Sequence, residues 1–116
     1  MRVENQAEFD AAIAAGEVIE IYTDGAFEVR GESMTVIRTC DDSRPTIYTC
    51  DESRPVICTC GESRPTIYTC DESRPTIYAY GESRPDIYTC GKSRPDIYAY
   101  GKSTIQINLR SNEHDA

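Results

Sequence analysis

The fold is decided by a ten-residue unit, which reads SRPTIYTCDE at residues 63–72 and recurs with small changes along most of the chain. Serine returns every ten residues from Ser33 to Ser103, and isoleucine returns in the same way from Ile37 to Ile107. Ten residues are too few for a helix pair or a propeller blade, but they suit the coil of a solenoid in which each coil stacks on the next. The repeat therefore predicts an all-β fold, a single parallel β-solenoid with ten-residue coils.

Each unit also predicts which side chains point inward. The PTIYTC segment is rich in β-branched and aromatic residues, which favour strands. The less regular units carry apolar residues in the columns of Pro45, Ile47 and Thr49, so we expect these columns to face the core. The alternate columns, which contain Tyr48 and Cys50, should then face outward. About eight coils at a spacing of ~4.8 Å predict a rod of ~38 Å.

Each unit contains one turn position that is either Asp or Gly. These two residues are the ones that tolerate a left-handed or tight-turn backbone. The position alternates between them, as at Asp51, Gly61, Asp71 and Gly81. We therefore expect a sharp corner once in every unit.

The ends of the chain differ from the repeat. Residues 1–18 are expected to form an N-terminal capping helix, with Asn5 as N-cap, Glu8 three residues later and Gly16 as the C-terminal stop. Residues 19–110 then form the solenoid, and residues 111–116 form a polar tail. A helix over the first coil would protect its strand edges, whereas the tail is a poor cap. The C-terminal end is therefore the predicted contact surface for another copy.

Composition limits the classes of function. The chain has 116 residues, of which 39% are hydrophobic and none is Trp, so a thick aromatic core is not expected. The formal charge of −8 argues against nucleic acid as a partner. No apolar stretch approaches ~18 residues, so no membrane partner is expected. The N-terminus has no apolar leader segment, and we expect a cytoplasmic or phage-particle location.

The side-chain inventory does not favour catalysis. The only histidine is His114, in the polar tail, so Cys–His and Ser–His–Asp sites are implausible. We therefore predict that the protein is not an enzyme and that it needs no cofactor.

The outward columns form the predicted interaction face. Thr and Tyr stack well on their like neighbours in a sheet, and this stacking alone can explain their presence. The alternative is that a flat and regular face binds another regular surface, such as a second solenoid, a fibre or ice. The predicted interaction face consists of Thr46, Tyr48, Thr66, Tyr68, Thr76, Tyr78, Tyr88 and Tyr98.

The cysteines form a second outward column. Cys40, Cys50, Cys60 and Cys70 are expected to stack in register as a ladder of free thiols. Their Cβ atoms would lie ~4.8 Å apart, beyond the ~3.5–4.5 Å of a relaxed disulfide. Oxidation between two chains is a further alternative, as is a soft-metal site that combines Cys58 and Cys60 with Cys50 or Cys70. The favoured prediction is that no metal is bound.

Two families resemble this chain. The ladder of Tyr68, Tyr78, Tyr88 and Tyr98 resembles that of the insect solenoid antifreeze proteins, which implies an ice-binding face. The segment AEFDAAIAAG at residues 7–16, placed before short repeats, is similar to bacterial and phage short-repeat solenoids. We therefore expect a non-catalytic structural or protein-interaction module that partners itself, as a homodimer or by end-to-end stacking. Ice binding is the alternative.

Overall fold

The computed structural model describes residues 2–110, so the predicted tail at 111–116 lies outside the described residues. A short strand, β1 (Arg2–Val3), precedes the helix α1 (Gln6–Ala15). Ten further strands follow along the chain: β2 (Ile19–Ile21), β3 (Ala26–Val29), β4 (Val36–Thr39), β5 (Thr46–Thr49), β6 (Val56–Thr59), β7 (Thr66–Thr69), β8 (Thr76–Ala79), β9 (Asp86–Cys90), β10 (Asp96–Ala99) and β11 (Gln106–Arg110).

The strands form two parallel sheets. Sheet A has the order β1-β2-β4-β6-β8-β10, and sheet B has the order β11-β9-β7-β5-β3. Strand partners lie twenty residues apart within the repeat, as in the pairing of Ile57 with Ile77 and of Ile47 with Ile67. The predicted parallel β-solenoid with an N-terminal helix is therefore confirmed.

The coil is twice as long as the repeat, and the predicted ten-residue coil is wrong. One ten-residue unit supplies one strand and one corner, so two units are needed before the chain returns to the sheet it left. The solenoid consequently has about five coils in place of eight. Its stack is about 24 Å long at the usual strand spacing, shorter than the predicted rod.

The core lies between the two sheets. Isoleucines from Ile37 to Ile87 are completely buried, and Pro45 and Thr49 are buried beside them, so the predicted inward columns are confirmed. Buried hydroxyl groups bond across consecutive coils with an offset of 24 residues. The four bonds are Thr39–Ser63 at 2.9 Å, Thr49–Ser73 at 2.9 Å, Thr59–Ser83 at 2.8 Å and Thr69–Ser93 at 2.8 Å. These four Thr–Ser bonds form a hydroxyl zipper, which helps to explain how a chain of low hydrophobic content folds.

The corners have the predicted left-handed backbone. Asp41, Asp51 and Asp71 have φ angles of 56–58°. At the equivalent Gly61 the φ angle is 64°, and a Cβ atom would lie 3.0 Å from the Asp41 carbonyl oxygen. The close approach therefore favours glycine there, since aspartate adopts a similar backbone angle at the equivalent corners.

The N-terminal cap has the predicted signals and one element that the sequence did not reveal. Asn5 Oδ1 accepts a hydrogen bond from the Glu8 backbone N–H at 2.9 Å. Gly16 has a φ of 70°, and the end of the helix is closed by a bond from Glu17 N–H to Ala12 O at 3.0 Å. The unexpected element is β1, which pairs with β2 and so adds a strand to the end of sheet A.

Candidate functional site

The predicted interaction face is divided between the two outer faces of the solenoid. Because alternate units enter alternate sheets, the outward column splits into two ladders on opposite sides of the core. One contiguous face is therefore not formed. Thr46, Tyr48, Thr66, Tyr68 and Tyr88 lie on sheet B, whereas Thr76, Tyr78 and Tyr98 lie on sheet A.

The tyrosines of sheet B form a regular ladder. Ring centroids are 5.0 Å apart between Tyr48 and Tyr68 and again between Tyr68 and Tyr88. The three side chains are half-buried, because each ring is covered by its neighbours along the column. This arrangement is a rigid strip one ring wide.

The tyrosines of sheet A form a two-by-two cluster that the sequence interpretation left incomplete. The stacked pairs Tyr78–Tyr98 and Tyr80–Tyr100 both have centroid distances of 5.2 Å, and Tyr78 lies 6.1 Å from Tyr80. Tyr80, Tyr98 and Tyr100 are 40–48% exposed. Tyr80 and Tyr100 replace cysteine in the repeat, and that irregularity is the signal that marks them.

The predicted thiol ladder is divided in the same way. Cys50 and Cys70 belong to sheet B, where Cys90 continues the column, whereas Cys40 and Cys60 belong to sheet A. All six cysteines are free and half-buried. The alternative metal site that combined Cys58 and Cys60 with a cysteine of sheet B is wrong, because the core separates the two sheets.

Burial controls the electrostatics of these thiols. Loss of solvation, together with the neighbouring Cys90 and Cys50, raises the pKa of Cys70 to about 11. Burial also raises the pKa of the Cys50 thiol, and the carboxylates of Glu28, Asp71 and Asp51 add to that effect. These thiols are therefore protonated and weakly nucleophilic near neutral pH.

The N-terminal end of the solenoid is covered. Phe9 and Ala12 of α1 are completely buried, and the Phe9 ring stacks on Phe27 at 5.2 Å. The Gln6 side chain completes the edge of sheet B: its Oε1 accepts from Glu28 N–H at 2.8 Å, and its Nε2 donates to Glu28 O at 3.0 Å. An amide side chain thus replaces the next strand.

The C-terminal end is open within the described part of the chain. No described strand pairs with the outer edge of β10 or β11. Ile107 is 49% exposed, in contrast to the fully buried Ile87 one coil earlier. The Nδ2 atom of Asn108 is buried without a hydrogen-bond partner among residues 2–110. This end therefore presents both apolar side chains and unpaired strand edges.

The described residues contain neither a metal-binding cluster nor a membrane-spanning helix. Between residues 2 and 110, no group of three or more His, Cys, Asp and Glu side chains could surround a metal ion. His114 lies outside that range. Within the same range, no helix has the length and apolar character needed to cross a membrane.

Comparison with protein-family models, curated proteins and solved structures finds no match to this chain. The resemblance to antifreeze proteins and to phage solenoids therefore depends only on the repeat pattern and on the segment at residues 7–16.

Proposed function

We propose that the chain is a non-catalytic structural and interaction module that joins a second copy of itself through its C-terminal end. The observation that carries this proposal is the difference between the ends. One end is closed by β1, by α1 and by the Gln6 amide, whereas β10 and β11 have no neighbour among the described residues.

Strand pairing supplies the mode of contact. An edge strand presents a row of unpaired N–H and C=O groups, which a strand of another chain can satisfy. Two copies that meet by their C-terminal ends are related by a twofold axis across the rod, so their edge strands pair antiparallel. Ile97 and Ile107 then gain apolar contacts across the junction. Because the opposite end is covered, the assembly closes at two copies and does not extend into a filament.

Charge supports the same orientation. Residues 1–32 contain eight acidic and two basic residues, so two N-terminal ends repel each other. Residues 81–116 contain five acidic and five basic residues, so two C-terminal ends do not. The junction can therefore form without a long-range electrostatic penalty.

Solution mass tests this proposal. Light scattering of the purified chain should give twice the 13.0 kDa of one chain. Ile107→Lys should give a monomer, because a charge would be buried at the junction. Met34→Lys is the matched control: Met34 is 78% exposed and lies in the corner before β4, remote from the C-terminal end. A monomeric unsubstituted chain, or a dimer that persists in Ile107→Lys, would contradict the proposal.

Solution mass also distinguishes association through the C-terminal end from association through an outer face of a sheet. If copies associate through the tyrosine ladder of sheet B, Tyr68→Lys should dissociate them while Ile107→Lys should not. The C-terminal proposal expects the opposite pattern. Circular dichroism should show native strand content in both variants before their masses are compared.

Ice binding is a second candidate, favoured by the equal 5.0 Å spacing of Tyr48, Tyr68 and Tyr88. A rigid periodic strip of this kind can match a periodic lattice. Thermal hysteresis that disappears in Tyr68→Lys and persists in Met34→Lys would support it. Hysteresis near zero in the unsubstituted chain would reject it.

A further inference from the structure

The cysteines of sheet B stand one above another on three consecutive strands. The register pairs Thr49 with Thr69 and Thr69 with Thr89, so Cys50, Cys70 and Cys90 follow in one column. The backbone holds this column firmly, since Cys70 N–H donates to Thr49 O at 2.8 Å.

The spacing suits a bridging ion better than a disulfide. Neighbouring strands lie about 4.8 Å apart, whereas the Cβ atoms of a relaxed disulfide are about 3.5–4.5 Å apart. Two metal–sulfur bonds as long as the zinc–thiolate bond, about 2.3 Å each, would span about 4.6 Å between sulfur atoms when arranged in line. This span is close to the strand spacing.

We propose that two neighbouring thiols of this column bind one soft two-coordinate cation of the Cu(I) class, which then bridges consecutive coils. Soft thiolate ligands select such cations. In the binding step each thiol S–H bond breaks, two metal–sulfur bonds form and two protons pass to solvent. No atom changes oxidation state.

The surroundings favour this column over the cysteines of sheet A. The carboxylates of Asp51 and Asp71 lie at the adjacent corner, where Asp71 Oδ2 accepts from Asp51 N–H at 2.9 Å. Their negative charge attracts a cation. In sheet A the Arg38 guanidinium is near both Cys40 and Cys60, and its positive charge opposes a cation there. In sheet B the Arg30 guanidinium acts on Cys50, at the end of the column.

The column allows one bridging ion at a time. Cys70 belongs to both neighbouring pairs, and Cys50 and Cys90 are two strand spacings apart, about 10 Å. A three-coordinate site is not formed, which agrees with the absence of any three-ligand group among residues 2–110. Cys70 is thus indispensable, whereas either outer cysteine can be lost.

This difference gives a matched test. The probe is Ag(I), an air-stable cation of the same class, added as nitrate in chloride-free buffer to a chain in which Cys40, Cys58 and Cys60 are replaced by Ser. In this background, Cys50→Ser should still bind one Ag(I) per chain. Cys70→Ser removes the same number of thiols but leaves no adjacent pair, so its affinity should fall about a hundredfold, as expected when a second tethered ligand is lost.

Native mass spectrometry and competition with a soluble thiol provide the readout. Equal affinities in the two variants would overturn the proposal, as would Ag(I) that is bound only between two chains. If the triple background does not fold, the two single variants of the otherwise native chain give the same comparison: Cys70→Ser should bind one ion fewer than Cys50→Ser. Equal stoichiometry in that pair would also overturn it. Neither result depends on association through the C-terminal ends, which Ile107→Lys tests separately.

Discussion

The two ends of the solenoid are built from the same kind of coil but terminate differently. At the N-terminal end a helix packs Phe9 onto Phe27, and Gln6 satisfies the last backbone groups of sheet B. At the C-terminal end, within the described residues, the final coil leaves Ile107 half exposed. A repeat specifies a stack but not its length, so the sequence must depart from the repeat wherever the stack is to stop. The difference therefore lies in how the strand edges are covered: the N-terminal edges are closed by β1, α1 and Gln6, whereas β10 and β11 have no neighbour among residues 2–110.

The largest expected effect on the free energy of unfolding comes from truncating an apolar side chain at each end of the solenoid. Phe9→Ala should lower the free energy of unfolding by about 3–5 kcal/mol, because Phe9 is completely buried. Ile107→Ala should cost much less in the monomer, since half of that side chain is already in water. Denaturant unfolding of both variants measures the two effects. A similar loss in both would mean that the ends are equally packed.

The next test uses the hydroxyl zipper, which lacks a threonine partner for Ser53 near the capped end. The residue 24 positions before Ser53 is Val29, so the hydroxyl of Ser53 is buried without a partner, whereas Ser83 bonds Thr59 at 2.8 Å. Ser83→Ala should cost about 1–3 kcal/mol, because it leaves the Thr59 hydroxyl unsatisfied. Ser53→Ala should be neutral or stabilising.

Thermal unfolding of the two serine variants measures this contrast, and Val29→Thr provides a third point by supplying the missing partner. If Ser53→Ala destabilises the chain as much as Ser83→Ala does, the zipper does not explain the buried hydroxyl of Ser53.

A smaller effect is expected from the Gln6 amide. Gln6→Ala removes two hydrogen bonds to Glu28 at a half-buried edge that water can partly solvate, so we expect a loss of about 1 kcal/mol. It should also open the edge of β3. Hydrogen exchange at the Glu28 amide should accelerate in this variant and remain unchanged in Met34→Lys. Unchanged protection at Glu28 would show that the amide does not close this end.

The sequence predicted the columns and the cap because these depend on local chemistry. Alternation places Ile47 inward and Tyr48 outward whichever sheet they join, and the signals at Asn5 and Gly16 act within one helical turn. It did not predict the coil length, because the unit is nearly the same in both sheets. A trace of the true period exists in Ala79-Tyr80 and Ala99-Tyr100, which flank Thr89-Cys90. The strand β1 was missed because two residues carry no periodic signal.

The last test concerns pH and the middle of the stack, where solvent reaches the half-buried Cys70 and screens the effect to a small one. Burial and the neighbouring Cys90 and Cys50 raise the pKa of Cys70 to about 11, whereas a thiol in the unfolded chain titrates near 8.5. Below that lower value both states hold the proton, and the stabilising contribution is fully present. As the pH rises towards 11, the unfolded chain releases the proton first, so the contribution is lost.

The free energy of unfolding should therefore fall less between pH 8 and pH 10.5 in Cys70→Ser than in the unsubstituted chain. Met34→Ser, which changes an exposed residue without a titratable group, should keep the unsubstituted pH dependence. If Cys70→Ser also keeps the unsubstituted pH dependence, the alkaline loss of stability arises from groups other than Cys70, and those at the two ends should be tested next.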